Sequence, residues 1–198
     1  MELLIASQNK GKIREYQELL KNLGYDVMGL AEIGLGEMDV EETGKTFVEN
    51  ALLKAHAYGE ASGKLALADD SGLVVDALDG RPGVYSARYG TATDDAGRRR
   101  YLLNEMQAIP QEARSAHFVC VIAVYNPQTG ESKTVEGICE GQILFEERDA
   151  GKGFGYDAIF LPNGFDKSFG ELSSEEKHKI SHRGHAVAQV PDLLKGLQ

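Results

Sequence analysis

Two adjacent carboxylates, Asp69 and Asp70, interrupt an apolar part of the sequence. They follow the apolar run 65–68, and Ser71-Gly72 predicts a turn into a second apolar run, 73–78. Apolar runs bounded by turn residues are typical of buried strands. Carboxylates at the end of a buried strand need a metal ion, a basic group or a shared proton to compensate their charge. A solvent-facing Asp-Ser-Gly turn is the alternative interpretation.

A second acidic pair, Glu41 and Glu42, lies in a glycine-rich loop over residues 32–44. Together with Asp69 and Asp70 it offers the hard oxygen ligands that suit Mg²⁺, which commonly takes one or two carboxylates, waters and substrate phosphates. The alternative for the glutamates is that they are solvated loop charges. Lys54 follows on the next predicted helix, where an ordinary surface lysine is equally compatible with the spacing.

The segment between the first predicted strand and the first predicted helix carries donors and cations. Backbone N–H groups at a helix start favour an anion. A lysine at a helix start is electrostatically unfavourable, because its charge opposes the helix dipole. Phosphate oxygens bound between the lysines and the helix end would remove this conflict. The spacing of a Walker A loop is absent. The alternative is a plain helix cap at Asn9 with two solvated lysines. The residues concerned are Ser7, Gln8, Asn9, Lys10, Gly11 and Lys12.

A second glycine-rich segment, residues 151–160, reads GKGFGYDAIF. Its alternating glycines would expose the faces of Phe154 and Tyr156, and an aromatic face is a stacking platform for a base. Asp157 could accept hydrogen bonds from ring N–H groups. A dinucleotide-binding fingerprint is excluded because no helix follows the glycines. A glycine-rich turn with core aromatics is the alternative.

Residues 173–186 form the most basic patch of the sequence. His178 and His182 are spaced i,i+4 and could hold Zn²⁺ on a helix. The interleaved cations would repel a dication, however, so recognition of an anion and a base explains the patch better. The basic residues are Lys177, His178, Lys179, His182, Arg183 and His185.

Composition limits the remaining possibilities. A formal charge of −10 disfavours non-specific binding to nucleic acid or to anionic membranes, because both need a basic surface. The two cysteines, Cys120 and Cys139, lie in strand-like runs and fit small core residues in a reducing compartment. We see no secretory leader and no membrane-length apolar stretch, so we expect a soluble, cytoplasmic protein. The 198 residues allow one domain, with two lobes.

Strand and helix signals interleave along the chain. A capping box at Thr46 and Glu49 starts one helix, which ends before Gly63, and a similar box lies at Ser173 and Glu176. A hairpin around residues 127–130 breaks the alternation, so the sequence predicts an α/β fold with a mixed sheet. The other predicted strands are 2–6, 25–30, 116–125, 132–139, extended by 142–145, and 158–161; the other predicted helices are 10–23, 94–107 and 185–197.

Over nearly its whole length the chain resembles the inosine triphosphate pyrophosphatase family. The resemblance rests on five motifs in the family's order: SQNKGK, EETGKTFVENALLKA, ADDSGLVVDALDGRPGVYSARY, GFGYDAIF and EEKHKISHRGHA. One visible variation is Ser7-Gln8, where other members often have Thr-Gly.

The resemblance implies an elongated, two-lobed α/β fold around a long mixed sheet with flanking helices, and an active site in the cleft between the lobes. It also implies a homodimer that hydrolyses ITP, dITP or XTP to the monophosphate and pyrophosphate with Mg²⁺. A related pyrophosphatase for other modified or standard triphosphates and a non-catalytic nucleotide-binding protein are the alternatives.

Site roles follow from the same resemblance. Mg²⁺ ligands fall on Glu41 and Asp70, and Asp70 is also the group that activates water. Arg183, with His182, is expected to donate hydrogen bonds to the 6-oxo group of the base. The substrate contacts are Ser7, Gln8, Asn9, Lys10, Gly11, Lys12, Lys54, Ser71, Phe154, Gly155, Tyr156, Asp157, Lys177, His182 and Arg183.

Overall fold

A six-stranded mixed sheet organises the α/β fold. The computed structural model describes residues 2–91, 93–195 and 197. The strands, in the sheet order β2-β1-β3-β4-β5-β6, are β1 (Glu2–Ile5), β2 (Asp26–Gly29), β3 (Ala66–Val75), β4 (Ser115–Asn126), β5 (Glu131–Ile143) and β6 (Phe160–Pro162). Strand β1 pairs in parallel with β2 and β3, whereas β5 and β6 are antiparallel, so the predicted mixed sheet is confirmed.

Helix starts follow the capping signals of the sequence. The side chains of Asn9, Thr46, Asp94 and Ser173 each accept a backbone N–H at a helix start, and Gly63 ends the second helix in a left-handed conformation with φ +65°. The helices are α1 (Lys10–Asn22), α2 (Phe47–Ser62), α3 (Asp95–Glu105), α4 (Ser174–Ile180), α5 (His182–Val187) and α6 (Val190–Lys195).

Three predicted boundaries were wrong. Ser71-Gly72 does not form the predicted turn. These two residues are extended and lie within β3, which continues to Val75. The predicted helix 185–197 begins earlier and is two helices, α5 and α6. Pro191 lies in the first turn of α6, where its missing N–H costs nothing, so the helix restarts there. The predicted strand 158–161 is shifted, because Asp157–Ile159 forms a 3₁₀ turn before β6.

The chain divides into two compact units. The first unit contains the chain up to Asp70, the segment Cys120–Gly137 and the chain from Arg183 onward, and the second contains Ser71–Val119 and Ile138–His182. Each unit has its own apolar core. That of the first includes Leu3, Tyr16, Leu67, Cys120 and Val190, and that of the second includes Leu73, Phe118, Cys139, Phe160 and Phe169. Both cysteines are buried and free, as predicted.

No helix among the described residues is long and apolar enough to cross a bilayer.

Candidate functional site

The two aspartates lie on opposite faces of β3. Leu67 pairs with Ile5 of β1, and Asp69 and Asp70 extend β3 beyond that pair. Successive residues of a strand point to opposite faces, so Asp69 shares the face of Leu67 and Asp70 that of Ala68. The aspartates are only 2% and 5% exposed. The predicted buried carboxylates are therefore confirmed, and a solvent-facing turn is excluded.

Asp69 lies in a network of buried charges. Its Oδ2 is 2.9 Å from Lys12 Nζ and 3.6 Å from Arg183 Nη2, and Arg183 also forms an ion pair with Glu15. Burial alone would raise the pKa of Asp69, but the charges of Lys12, Arg183 and Lys54 outweigh it and hold the pKa well below its usual range. Oδ1 of Asp69 has no hydrogen-bond partner among the described residues. Asp69 is thus held as a charged carboxylate by the cations around it.

Asp70 has a less compensated environment. Asn50 Nδ2 donates to its Oδ2 at 3.1 Å, and Lys54 Nζ lies 3.6 Å from Oδ1. Burial raises the pKa of Asp70, and the nearby Lys54 and Lys12 do not fully offset that effect. Of the two aspartates, Asp70 is therefore the more basic.

Lys54 is not a surface lysine, since its side chain is 13% exposed. It forms an ion pair with Glu42 as well as facing Asp70. Burial lowers the pKa of the ammonium, but Asp69, Asp70 and Glu42 more than reverse this, so Lys54 stays protonated. On the same face of β3, Asn50 accepts a hydrogen bond from the Gly44 N–H at 2.8 Å. A Cβ on Gly44 would lie 2.6 Å from Asn50 Oδ1, so the loop approaches α2 as closely as only glycine allows.

The start of α1 is capped by its own side chain. Asn9 Oδ1 accepts the N–H groups of Gly11 and Lys12, so the predicted cap at Asn9 is confirmed. The solvated lysines of that alternative are confirmed for Lys10 and wrong for Lys12. Lys10 is exposed, whereas Lys12 turns inward to Asp69. Any phosphate contact here would depend mainly on side chains.

The remaining positions of the first motif lie beside this cap. Ser7 Oγ accepts the Asn9 N–H at 3.2 Å. Gln8 donates to the carbonyl of Met38 at 2.6 Å, so it contacts the acidic loop.

We call residues 153–157 of the second unit the base loop, because the sequence predicts that a base stacks there. Phe154 is half-buried, with Lys177 Nζ 5.0 Å from its ring centroid. Asp157 Oδ2 accepts Lys177 Nζ at 2.7 Å and the Phe154 N–H at 2.8 Å. A Cβ on Gly153 would lie 2.7 Å from that oxygen, so this glycine is required by a close approach. Stacking on Phe154 stays a prediction.

The prediction that Tyr156 exposes its face was wrong. Its side chain is 4% exposed and belongs to the core of the second unit, and its hydroxyl donates to the Ser86 carbonyl at 2.9 Å. The glycines around it change the backbone direction but do not lift the ring from the core.

The basic patch is divided between different environments. His182 is buried in the second unit and stacks on Phe118 at 4.6 Å, whereas Arg183 belongs to the first unit and contacts Glu15 and Asp69. Lys179 is exposed and pairs with Glu175. Readout of a base by His182 and Arg183 stays a prediction.

The acidic side chains that the sequence offers as metal ligands do not all lie close together. Within residues 2–91, 93–195 and 197, no three His, Cys, Asp or Glu side chains come together as a ready metal site. Glu41 is exposed, and it is Glu42 that contacts Lys54 beside Asp70. A magnesium ion held by one or two carboxylates, waters and phosphates does not need a three-carboxylate cluster, so the carboxylate chemistry of Asp70 and of Glu42 beside it suits such an ion. Glu41 as a ligand stays a prediction.

Sequence reasoning missed Glu15 and did not foresee the contacts of Asn50. Glu15 carried one signal, its i,i+3 spacing from Lys12 on α1, which places both on one helix face. Asn50 and Lys54 are spaced i,i+4, but their direction toward Asp70 depends on how α2 packs on β3.

Comparison with known proteins gives consistent relatives over the whole chain. The model of the Ham1 family matches residues 3–193. The dITP/XTP pyrophosphatase of Bacillus subtilis (strain 168) is 50% identical over 195 residues, covering 98% of this chain and 97% of that protein. The structure of the Staphylococcus aureus Ham1 protein superposes with a TM-score of 0.85 at 41% identity, covering 100% of both chains. The structure of a HAM1 protein from Coxiella burnetii gives 0.86 at 41% identity, covering 99% of each chain.

Proposed function

The chain belongs to the Ham1 family, and on that premise we propose that it hydrolyses non-standard purine nucleoside triphosphates, namely XTP, dITP and ITP, to the monophosphate and pyrophosphate. Full-length relatives named dITP/XTP pyrophosphatase support this substrate class. The observation that carries the proposal is local. Two lysines, Lys12 and Lys54, lie within the first unit against the carboxylates Asp69 and Asp70.

Asp70 is the proposed water-activating group. A general base must be ionised at the working pH yet basic enough to accept a proton, and burial moves the pKa of Asp70 in that direction. The Asn50 amide holds one carboxylate oxygen, which fixes the orientation of the group. Asp70 then orients or deprotonates a water for in-line attack on the α-phosphorus.

Lys12 and Lys54 are proposed to stabilise negative charge that develops on the phosphates. Lys12 is oriented by Asp69, and Lys54 by Glu42 and Asp70, so little reorganisation is needed when substrate binds. Ser7, Gln8, Asn9, Lys10 and Gly11 complete the proposed phosphate loop, and Ser71 follows Asp70 as a further contact.

Mg²⁺ is the proposed cofactor, with Glu41 and Asp70 as its protein ligands. For Asp70 the roles of metal ligand and proton acceptor are alternatives, because metal binding lowers the basicity of a carboxylate. When bound, it would neutralise phosphate charge.

The second unit is proposed to recognise the purine. Phe154 provides a ring face, and the Asp157–Lys177 pair beside it provides polar groups at fixed positions. Gly155 and Tyr156 complete this segment as backbone and core supports. His182 of the second unit and Arg183 of the first unit are proposed to donate to the 6-oxo group. Adenine presents a donor there, and an unsatisfied buried donor costs roughly 1–3 kcal/mol.

Assembly and location complete the proposal. We propose a cytoplasmic homodimer that acts on free nucleotides rather than on nucleic acid or membranes. The net charge of −10 and the two free cysteines support this setting.

A panel of triphosphates tests the proposed function. Pyrophosphate release with Mg²⁺ is measured for XTP, dITP, ITP, GTP, ATP and modified pyrimidine triphosphates. We expect kcat/KM for XTP, dITP and ITP to exceed that for ATP by about 100-fold or more, and EDTA to abolish release. Preference for another triphosphate would indicate a related pyrophosphatase. Binding of XTP without release would indicate a nucleotide-binding protein.

A further inference from the structure

One turn of α3 holds a single residue of the base loop. Asp95 Oδ2 accepts the Gly155 N–H at 2.7 Å, and Arg99 Nη1 donates to the Gly155 carbonyl at 2.8 Å. Both polar backbone atoms of Gly155 are therefore bound by side chains one helical turn apart. We call Asp95 and Arg99 the Gly155 clamp.

The clamp is itself oriented by further charges. Arg98 forms an ion pair with Asp95, and Glu147 binds Arg99 Nη2 at 2.9 Å. Burial would raise the pKa of Asp95, but the Gly155 N–H and Arg98 outweigh it and lower the pKa, so the acceptor stays ionised. The Arg99 side chain is 12% exposed, which limits its movement. These contacts orient both clamp side chains toward Gly155.

The clamped residue lies between the two aromatic residues of the base loop. Gly155 has φ +60°, a left-handed conformation that turns the chain sharply between Phe154 and Tyr156. On one side Tyr156 is anchored in the core through Ser86, and on the other the Phe154 N–H is bound by Asp157. The direction of the Phe154 ring therefore depends on the Gly155 peptide staying in place.

We propose that Asp95 and Arg99 are positioning residues for nucleotide recognition, acting through Gly155 to hold the Phe154 ring and the Asp157–Lys177 pair in the geometry that binds the purine. This inference rests on the proposed function, in which Phe154 and its neighbours contact the base. Neither clamp residue touches the nucleotide. Their loss changes ground-state binding and leaves the phosphate chemistry in place.

Asp95→Ala and Asp95→Asn form the first matched pair. Both variants remove the charge at the start of α3 and the ion pair with Arg98, but only Asn keeps an oxygen that can accept the Gly155 N–H. We expect Asp95→Ala to raise KM for XTP about five-fold with little change in kcat, as for one lost hydrogen bond, and Asp95→Asn to restore most of that loss.

Arg99→Met and Arg100→Met form the second pair. They are neighbours on α3, but Arg100 is exposed and lies outside the clamp. We expect a KM increase only in Arg99→Met. Amide hydrogen exchange over residues 153–157 should accelerate in Asp95→Ala and Arg99→Met and stay unchanged in Arg100→Met. Thermal unfolding of all variants controls for loss of fold.

The possible failures are distinguishable. If the wild type releases pyrophosphate from XTP and Phe154→Ala raises KM, but Asp95→Ala and Arg99→Met keep the wild-type KM, the clamp inference is overturned alone. Equal KM values for Asp95→Ala and Asp95→Asn would also overturn it, since the charge would then matter and the acceptor would not. If the wild type does not cleave XTP, the proposed function fails and the clamp's role in recognition fails with it.

Discussion

The two faces of β3 give neighbouring aspartates opposite properties. On one face, Asp69 is surrounded by Lys12, Arg183 and, through Arg183, Glu15, and its pKa falls. On the other, Asp70 meets an amide and one shared lysine, and its pKa rises. Strand alternation places the two neighbouring side chains in these different environments. One residue type is therefore held as a charged counter-ion at one position and is more basic at the next.

The largest effect on activity is expected from a substitution of Asp70. Asp70→Asn removes the proposed proton acceptor while keeping an oxygen near Asn50, so we expect kcat to fall by roughly 10³-fold with the fold retained. Pyrophosphate release from XTP measures the loss, and the exposed Asp26→Asn serves as the control for removing a carboxylate from the first unit. A kcat within a few-fold of wild type would refute the assignment.

Asp69→Asn should act mainly on stability. It removes the charge that balances Lys12 and Arg183 in a buried setting, and losing one partner of such a pair costs about 3 kcal/mol or more. The free energy of unfolding in urea measures the effect. Asp70→Asn should be neutral or stabilising in the same assay, because burial disfavours the Asp70 charge. Equal destabilisation by both variants would remove the distinction between the faces.

Gly44→Ala tests the Asp70 face without changing a charge. The added methyl would collide with Asn50 Oδ1 and shift the amide that orients Asp70. We expect kcat to fall about ten-fold, as for a small misplacement of a reacting group. Gly36→Ala, in the same loop but with a nearest contact of 3.4 Å, is the matched control. Similar losses in the two variants would point to general disturbance of the loop.

The smallest expected effect concerns stability. The contributions of Asp69 and Asp70 to the free energy of unfolding, measured in EDTA, should change in opposite directions with pH. The depressed pKa of Asp69 contributes stability that is present above about pH 4, its unfolded value, and is lost as the pH falls through the folded pKa. The raised pKa of Asp70 contributes stability that is present below about pH 4 and is lost as the pH rises through the folded pKa.

Thermal unfolding at several pH values below and above about pH 4 compares the stability of each variant with that of the wild type. As the pH rises, Asp69→Asn should become less stable relative to the wild type, and Asp70→Asn more stable. Parallel curves for the two variants would contradict the opposite pKa directions.

Local signals in the sequence predicted much of this arrangement. The caps at Asn9 and Thr46 act within one helical turn, so the starts of α1 and α2 could be read directly. The placement of two carboxylates on a buried strand also followed from the apolar runs around them.

What failed depended on contacts distant in the sequence. Ser71-Gly72 has turn composition, yet it continues β3, a strand in the interior of the six-stranded sheet. Tyr156 follows a glycine in the left-handed conformation, but a place in the core decides the direction of its ring. Glu15 and Arg183 are separated by 168 positions, so their ion pair follows only from the packing of the first unit.

The carbonyl of Met38 accepts hydrogen bonds from both Gln8 and Tyr58. A glycine in place of Gln8 could not make the first of these bonds. In this chain the glycine-rich loop 32–44 is therefore hydrogen-bonded at Met38 to Gln8, just before α1, and to Tyr58 in α2, without a bound nucleotide. Part of the entropy loss of ordering Glu41 and Glu42 is consequently incurred during folding, which leaves less to be lost on substrate capture.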